Sequence, residues 1–514
     1  MDDSTRIKVY TAIRHFVNHS CPSGWAELHP VRSRAPSKAS SDRFLNESEV
    51  ESDPWPKIEP SVPFGRAMRD AHFNFAESYT PLNHGSFGTF PTSVRDHQRK
   101  LQDAMEARPD TFLRYTYPDM LLKSRAAVAP LLGVSMDEVV FVPNATTGVN
   151  TVLRNLVYQE GDVIVHFSAI FGGCKKTLQS LCETEPVERV CIEIEFPAED
   201  DDIISKFSST VQSLRNNGKT VKLAIFDTVV SSPGIRFPWE ELVERCKSLQ
   251  ILSLIDGAHG VGHIDLTSLG QVGPDFFTSN CHKWLFVPRG CAVLYVPVRN
   301  HHLIRTTLPT SIGYQAPSQR ESAPGGSKAF GDLFKRVATI DSTSYVCIEE
   351  ALKFRELVCG GEVAIREYCE NIAQAGGKRM AEILGTEIME NKAKTLHRCC
   401  MVNVSLPLVV TDGEASYDPP AEAGLKQGVM GLEENDIKIS YIRSTDAATI
   451  AKWITDRSVK DYETMIPVVF DGRKFWCRMS GQIYLELRDF EWAAYRLKEV
   501  CERVSKGEFK NSTI

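Results

Sequence analysis

The sequence has no uninterrupted apolar run that approaches the roughly 20 residues needed to cross a bilayer, and we therefore expect no transmembrane helix and no membrane partner. It also has no excess of basic residues. The 59 Lys and Arg stand against 66 Asp and Glu, which gives a net charge of −7 at pH 7. Binding to nucleic acid depends on a clustered basic surface that neutralises phosphates. The composition therefore argues against a nucleic-acid-binding protein.

Targeting signals are also missing from the sequence. The start, Met1-Asp2-Asp3, lacks the basic residues and the apolar segment of a secretory signal peptide, and the last four residues match no retention or peroxisomal tail. The 14 cysteines are scattered rather than spaced as a disulfide framework. We therefore expect a cytoplasmic protein in which most cysteines are reduced thiols.

A chain of 514 residues is long enough for two or more domains. Residues 20–63 contain 9 Ser and 7 Pro among 44 positions, and such a segment buries too little apolar surface to offset the entropy lost on ordering. We therefore predict a mostly disordered N-terminal extension over residues 1–63. We expect a large domain over 64–345, whose first segment, 64–90, packs on both domains, and a small domain over 346–514.

Short apolar runs alternate with amphipathic segments in the first half of the large domain. Their β-branched, nearly continuous hydrophobicity is typical of strands covered on both faces. Strands that alternate with helices predict an α/β fold with a mostly parallel central sheet. Around Cys347 the apolar spacing becomes helical, which predicts a long helix that Gly360-Gly361 end and a smaller α+β C-terminal domain after it. The predicted strands are Glu138–Pro143, Val163–Phe167, Lys222–Val230, Ile251–Asp256, Asp275–Ser279 and Cys291–Pro297.

Polar residues follow three of these runs, at the strand ends where α/β sheets bind ligands. The first run is followed by residues 144–148 (NATTG), which form either an anion site before a helix or an ordinary Thr N-cap. Asp256 forms either a structural ion pair or a partner that keeps a ring nitrogen protonated. Lys283 is either a surface lysine or a buried, nucleophilic amine. Together, a phosphate cradle, an acid and an amine are the groups that pyridoxal 5′-phosphate (PLP) requires.

The order of the segments NATTGVN, DGAHG and SNCHKWLFVPRG resembles the class V aminotransferase family, within the fold-type I PLP enzymes. The likeness runs from about Tyr79 to about Lys510. The segments LNHGSFGT, FLRY, PAEDDD, SSPGIRFP and LPTSIGY are similar to the epimerase-like fungal branch of that family. This branch includes the ergothioneine-pathway hercynylcysteine sulfoxide C–S lyase and the loline-pathway PLP enzyme. The resemblance implies a fold-type I PLP-dependent transferase fold and a homodimer with active sites at the subunit interface.

The resemblance also implies roles for individual residues. Lys283 forms the Schiff base with PLP, Asp256 pairs with the pyridine nitrogen, and His259 points at the phenolic oxygen; these three are the expected catalytic residues. Arg478 binds the substrate carboxylate through a planar bidentate pair, where the sequence alone would favour a surface salt bridge. The other expected cofactor contacts are Ala145, Thr146, Thr147, Phe171, Asp227, Ser231, Asn280, His282 and, from a neighbouring subunit, Thr339. The expected substrate contacts besides Arg478 are Asn83 and His84.

Two residues depart from the branch. Ala338 replaces the glycine that usually precedes Thr339. Phe171 stands where the ergothioneine lyases have a segment like FDTIYGA, whose Tyr can donate a proton to the leaving sulfur; Phe can stack on the cofactor ring but has no hydroxyl. We therefore expect a lyase or transferase of fungal secondary or sulfur metabolism that acts on another amino acid. It would act at Cα through a Schiff base and a carbanion, by elimination, substitution or cyclisation.

Other functions stay open at this point. Another group could donate the proton, which would leave C–S lyase activity in place, and epimerases and aminotransferases share the same carbanion. A scaffold that binds PLP without turnover is a further alternative, although the retention of Lys283, Asp256 and Arg478 together speaks against it. A cysteine desulfurase needs a nucleophilic loop cysteine, and the Gly-rich segment Pro324–Gly331 has none.

A metal site is not expected. His259 and His263 have the i,i+4 spacing that suggests zinc, but Gly260 and Gly262 disfavour a helix there, and no Glu completes an H-E-x-x-H motif. The acidic run over residues 199–202 lacks the spacing of a calcium loop, and we interpret it as the start of a helix.

Overall fold

The computed structural model describes residues 60–322, 326–411, 440–471 and 474–511. Residues 1–59 of the predicted N-terminal extension therefore lie outside the described residues. Within the described part, the chain forms a seven-stranded sheet, a four-stranded sheet and a two-stranded hairpin. No helix among the described residues is long and apolar enough to cross a membrane.

The seven-stranded sheet is mostly parallel, as the sequence predicts. Its strand order is β1-β9-β8-β7-β4-β2-β3, in which β8, β7, β4, β2 and β3 run parallel and β9 runs antiparallel to both of its neighbours. All six predicted runs contribute strands to this sheet. The strands are β1 Val139–Val142, β2 Asp162–Phe167, β3 Val187–Ile192, β4 Thr220–Asp227, β7 Leu252–Asp256, β8 Phe276–Asn280 and β9 Ala292–Tyr295, and the hairpin is β5 Val229–Val230 with β6 Ile235–Arg236.

Helices cover the sheet and connect its strands. Pro238 precedes the helix Trp239–Ser248. Three acidic residues lie in the first turn of the helix Asp200–Asn216, as the sequence predicts. Short 3₁₀ and π turns also occur, among them Thr343–Cys347 and Phe354–Val358. The α-helices up to the C-terminal part are α1 Arg66–His72, α2 His84–Phe87, α3 Thr92–Ala107, α4 Pro109–Thr111, α5 Tyr117–Leu132, α6 Ala145–Asn155, α7 Gly172–Leu181, α8 Asp200–Asn216, α9 Trp239–Ser248, α10 Leu269–Val272, α11 Cys281–Trp284, α12 Pro317–Ser322, α13 Gly326–Phe334 and α14 Ile348–Lys353.

The prediction of one long, regular helix around Cys347 is wrong. The chain instead forms a 3₁₀ turn, the two-turn helix α14 and a π turn that ends before Cys359. The π turn contains Arg355, whose buried guanidinium donates to the carbonyl of Trp284 (2.9 Å) and pairs with Glu362. A π turn inserts one residue into a helix and re-aims its side chains, and here the re-aimed arginine contacts the segment that carries Lys283.

A smaller C-terminal α+β domain follows, in agreement with the prediction. Its sheet has the order β11-β10-β13-β12, with β10 and β11 parallel and the other pairs antiparallel. Three helices pack against it. The elements are α15 Glu362–Leu384, β10 Met401–Thr411, β11 Ser440–Arg443, α16 Ala447–Tyr462, β12 Val468–Asp471, β13 Lys474–Ser480 and α17 Leu487–Ser505. The limits 64–345 and 346–514 stay predictions.

Candidate active site

Three parallel strands of the large sheet end side by side in polar residues. Strand β4 ends at Asp227, β7 at Asp256 and β8 at Asn280, and Asp227 is paired with Asp256 in the register of β4 and β7. Lys283 follows β8 directly on the short helix α11. The structure thus brings the predicted acid and the predicted amine together at the carboxyl edge of the sheet, where α/β folds bind their ligands.

The amine of Lys283 is half-buried at this edge. Its Nζ lies 3.1 Å from Nε2 of His259. Burial lowers the pKa of Lys283 to about 8, although Asp256 and Asp227 act in the opposite direction. A large fraction of the amine is therefore neutral in mildly alkaline solution, and a neutral amine can attack a carbonyl group.

The carboxyl groups of Asp227 and Asp256 are both buried. Asp256 accepts hydrogen bonds from the thiol of Cys174 (3.2 Å) and from the backbone N–H of Ala258 (3.0 Å). Burial raises the pKa of Asp256, and these two bonds oppose that shift. Burial and the adjacent Asp256 raise the pKa of Asp227 well above its usual range. Asp256 is therefore the better stabilised anion of the pair, because hydrogen bonds oppose the effect of burial on it.

His259 and His263, whose spacing suggested a metal site, are bonded to protein groups. Nδ1 of His259 accepts from the indole N–H of Trp284 (3.3 Å). Nδ1 of His263 donates to the carbonyl of His259 (2.7 Å), and its Nε2 accepts from the backbone N–H of Cys400 (2.7 Å). Burial lowers the pKa of His263 to about 3 and that of His259 well below its usual value. Both rings are therefore neutral, and both nitrogens of each are engaged.

The N-terminus of α6 lies beside the end of β8. Asn144 caps the helix, because its Oδ1 accepts from the backbone N–H of Thr147 (2.8 Å), and Oδ1 of Asn280 accepts from that of Ala145 (2.9 Å). The alternative of a Thr N-cap is thus wrong, because Asn144 caps the helix. A Cβ added to Gly148 would lie 2.3 Å from Oγ1 of Thr278, so glycine permits this close approach of helix and strand.

The same helix N-terminus offers an anion site. Thr146 is exposed there, and the positive end of the helix dipole favours negative charge. His282 donates from Nδ1 to the carbonyl of Cys291 (2.9 Å), and burial lowers its pKa to about 4. Because Nδ1 is engaged, Nε2 of His282 is the nitrogen that can face an anion. A phosphate dianion bound next to it would raise the pKa of the ring.

Arg478 lies on β13 and is only 7% exposed. Its Nη1 donates to the carbonyl of Ser231 (2.5 Å), and its Nη2 donates to Oδ1 of Asn83 (2.6 Å) and to Oγ of Ser86 (2.8 Å). Its Nε is buried without a hydrogen-bond partner. Within the described residues no carboxylate pairs with this guanidinium, and burial lowers its pKa to about 10. A buried cation with an unused donor and only neutral partners can bind a carboxylate.

The surroundings of four other expected site residues are also described. The carbonyl of Ser231 accepts from Nη1 of Arg478. His84 is buried, with Nδ1 2.7 Å from the hydroxyl of Tyr484 and its ring against that of Trp284. Phe171 immediately precedes α7 and is 45% exposed. Thr339 is exposed, and its role in a neighbouring subunit stays a prediction.

Sequence reasoning missed three residues of the site. Cys174 was counted only as a scattered cysteine, yet it donates to Asp256. Ser86 binds Arg478 across 392 residues of sequence, and it was visible only as part of the LNHGSFGT segment. Trp284 was visible only as part of the SNCHKWLFVPRG segment, yet its N–H contacts His259. The neighbours of His259 and Arg478 come from distant segments, which no local pattern could have identified.

These residues fit PLP. Asp256 carries a buried negative charge whose hydrogen-bond donors are a thiol and an amide rather than a cation, and a pyridinium would supply the missing positive charge. Lys283 offers a neutral amine for the aldehyde, and the N-terminus of α6 offers an anion site for the phosphate. The unused Nε of Arg478 remains for a substrate carboxylate.

Comparison with known proteins also indicates a PLP enzyme. Residues 116–410 match the family Aminotransferase class-V. The L-cysteine desulfhydrase-like protein lolT2 of Epichloe uncinata is 38% identical over 462 residues, which cover 87% of this chain and 96% of that protein. The hercynylcysteine sulfoxide lyase of Schizosaccharomyces pombe is 29% identical over 439 residues, which cover 85% of this chain and 98% of that protein.

Solved structures share the fold at low sequence identity. One is a C-DES mutant with glycine covalently linked to its PLP cofactor, which superposes with a TM-score of 0.60 at 15% identity. The alignment covers 82% of this chain and 96% of that chain. This likeness concerns the fold, in which a large mostly parallel sheet is followed by a smaller C-terminal domain.

Proposed function

The chain belongs to the class V aminotransferase family and uses PLP as its cofactor, and we propose that it removes the Cα proton of an α-amino acid. The reaction then eliminates or replaces a substituent at the β or γ carbon, or closes a ring there. The resemblance inferred from the sequence, the fold and the cofactor are confirmed. The reaction and the roles of individual residues are our proposal.

The observation that carries this proposal is the uncompensated charge of Arg478. A buried guanidinium is costly unless it is paired, and its described partners are an amide, a hydroxyl and a backbone carbonyl. Arg478 is close enough to Lys283 to lower the pKa of that amine. A ligand with a carboxylate next to its amino group would therefore satisfy both residues together, and α-amino acids are such ligands.

Bound PLP withdraws electrons from Cα of an attached amino acid, which makes the Cα proton acidic. Nζ of Lys283 is the group that takes and returns this proton, because burial lowers the pKa of the amine to about 8 and so makes its unprotonated form accessible. Arg478 holds the carboxylate and so decides which bond to Cα is presented for cleavage. Asp256, the better stabilised anion of its acid pair, would hold the positive charge of the ring nitrogen.

Phe171 restricts the leaving group. This residue is 45% exposed, and its ring has no proton to donate. A leaving group that departs as a weakly basic anion, such as a carboxylate, needs no such donor. Cleavage of a cysteine sulfoxide conjugate, with another group as the proton donor, is a second candidate function, supported by the relative named hercynylcysteine sulfoxide lyase.

A homodimer is part of the proposal. Ile312 and Ile340 are 79% and 48% exposed, and both line a cavity of about 400 Å³ that extends from Thr339 to Thr147 on α6. Large apolar residues exposed together are typical of an interface. A second copy that covers them would place exposed threonines near the anion site. A monomeric mass in solution would contradict this part of the proposal.

We also propose a cytoplasmic location. None of the cysteines in the described residues forms a disulfide, although most are buried. Unpaired thiols in this number are typical of a reducing compartment.

Absorbance spectroscopy of the purified protein tests the proposal. We expect a band of protein-bound PLP that Lys283→Ala abolishes, and spectral changes when an α-amino acid is added. Pyruvate released from a cysteine sulfoxide conjugate would assign elimination. Spectral changes with product but without pyruvate would assign substitution or cyclisation. Loss of configuration at Cα alone would assign epimerisation, and formation of a keto acid with the amino group retained on the cofactor would assign transamination. If the absorbance of bound PLP changes with no amino acid, the result would favour a scaffold that binds PLP without turnover.

A further inference from the structure

Trp284 directs its indole N–H at one nitrogen of His259, while the other nitrogen faces Lys283. The indole nitrogen is 3.3 Å from Nδ1 of His259, and Nζ of Lys283 is 3.1 Å from Nε2. An indole N–H can only donate a hydrogen bond. Nδ1 of His259 must therefore accept, and it cannot carry a proton while this bond exists.

The indole itself has little freedom to turn away. Trp284 is 1% exposed. The ring of His263 stacks on it at 3.9 Å, and the ring of His84 meets it edge-on at 4.9 Å. The backbone carbonyl of Trp284 accepts from Nη1 of the buried Arg355 (2.9 Å). These contacts hold both the ring and the backbone of the residue that directly follows Lys283.

We propose that Trp284 is a positioning residue that fixes His259 as the neutral tautomer with its proton on Nε2, directed at Nζ of Lys283. In this tautomer His259 donates to Lys283 and stabilises the unprotonated amine. The other tautomer would accept from the ammonium form and stabilise that instead. Trp284 thus sets the basicity of Lys283 indirectly, because its indole contacts His259 and His259 contacts Lys283.

The surroundings of His259 favour a neutral ring. Burial lowers the pKa of His259 well below its usual value, so the ring does not carry a second proton. Lys283, Arg478, His263 and His84 surround it, and positive charge on any of them lowers its pKa further. None of these four groups favours an imidazolium, and the donor on Nδ1 decides between the two neutral forms.

The test measures the pKa of Lys283 in the apoenzyme. Added PLP forms a Schiff base only with the unprotonated amine, so the pH dependence of the capture rate, followed by absorbance, reports this pKa. For the unaltered protein we expect a value near the pKa of about 8. For Trp284→Phe, which keeps an aromatic ring for stacking but has no N–H, we expect a rise of about one unit.

A double-mutant cycle separates this effect from loosened packing. The amide of Gln can present either polarity by rotating and has no tautomer to fix. In a His259→Gln background, Trp284→Phe should therefore shift the pKa of Lys283 no further. If Trp284→Phe does not give a folded apoenzyme, 3-benzothienylalanine at position 284, with sulfur in place of the N–H, provides the same test.

The inference rests on the proposed role of Lys283 but fails separately from it. An apoenzyme that captures no PLP at any pH would overturn the proposed function. Capture with an unchanged pKa in Trp284→Phe would overturn the role of Trp284 alone. An equal shift in the His259→Gln background would also overturn it, because the effect would then not pass through His259.

Discussion

Replacing Arg478 by methionine removes the buried cation and leaves a side chain of similar length. The guanidinium binds only neutral groups in the described structure and keeps Nε buried and unused. Removing one member of a buried, hydrogen-bonded charge pair costs about 2–5 kcal/mol. This cost corresponds to roughly 30- to 5000-fold in affinity. We therefore expect Arg478→Met to weaken the binding of α-amino acids within that range.

The assay is an absorbance titration of the holoenzyme with glycine and L-alanine. Methylamine and ethylamine are the matched ligands, because they lack only the carboxylate, and Arg478→Met should leave their affinity unchanged. Ser86→Ala is the matched variant: it removes one neutral acceptor of the same guanidinium and keeps the cation. We expect it to cost about 1 kcal/mol or less for the amino acids.

Two results would refute the reasoning about Arg478. Unchanged affinity of Arg478→Met for both amino acids would mean that the guanidinium does not bind the carboxylate. An equal loss for amines and amino acids would mean that the substitution disturbs the whole site. The near-UV circular dichroism spectrum of each variant, compared with that of the unaltered protein, identifies a general loss of packing.

Three further predictions follow from single contacts. Cys174→Ala should weaken PLP binding about tenfold relative to Cys174→Ser in equilibrium dialysis, because only the serine variant keeps a donor to Asp256; equal affinities would contradict this. Ala338 has a φ of 59°, in the left-handed region that favours glycine, so Ala338→Gly should raise the free energy of unfolding in urea by up to about 1 kcal/mol; a loss of stability would argue against strain there. Phe171→Tyr adds a proton donor and should raise pyruvate release from a cysteine sulfoxide conjugate by about tenfold or more; no gain over the unaltered enzyme would mean that the missing hydroxyl does not limit C–S cleavage.

The strands of the large sheet could be predicted because most of them are buried on both faces. Such strands form continuous apolar runs, and all six predicted runs contribute strands. Strand β3 was missed because it lies at the edge of the sheet, where Glu188 and Arg189 interrupt the apolar pattern. In the segment around Cys347 the sequence pattern instead predicted too regular a structure. Helical spacing predicted a helix there, but the buried bonds of Arg355 accompany a π turn that no local periodicity reveals.

Some features of the site could likewise be predicted from the sequence, and others could not. Asp256 and Lys283 could be found because strand ends are visible in the sequence and because α/β folds place ligands there. The charge state of each residue could not be predicted, since it depends on contacts between distant segments. Cys174 and Asp256 are 82 residues apart, and Arg478 and Asn83 are 395 residues apart. Arg478 was indistinguishable from a surface arginine until its burial was known.

Burial has opposite effects on the acids and the amine of this site, and together these effects define its charge. Burial raises the pKa of Asp227 and lowers that of Lys283 to about 8, so both groups shift toward their neutral forms, and burial also keeps His259 neutral. Two charged groups then face Lys283: Asp256, whose anion is stabilised by a thiol and an amide, and the cation of Arg478. Both act on Lys283, the first raising and the second lowering its pKa. A positively charged ring at Asp256 and a carboxylate at Arg478 would neutralise both charges, with the amine of Lys283 free to move a proton between carbon and nitrogen. Because these two charged groups are held in place before a ligand binds, they can stabilise charge that develops during the reaction without reorganising, as preorganised electrostatic catalysis requires.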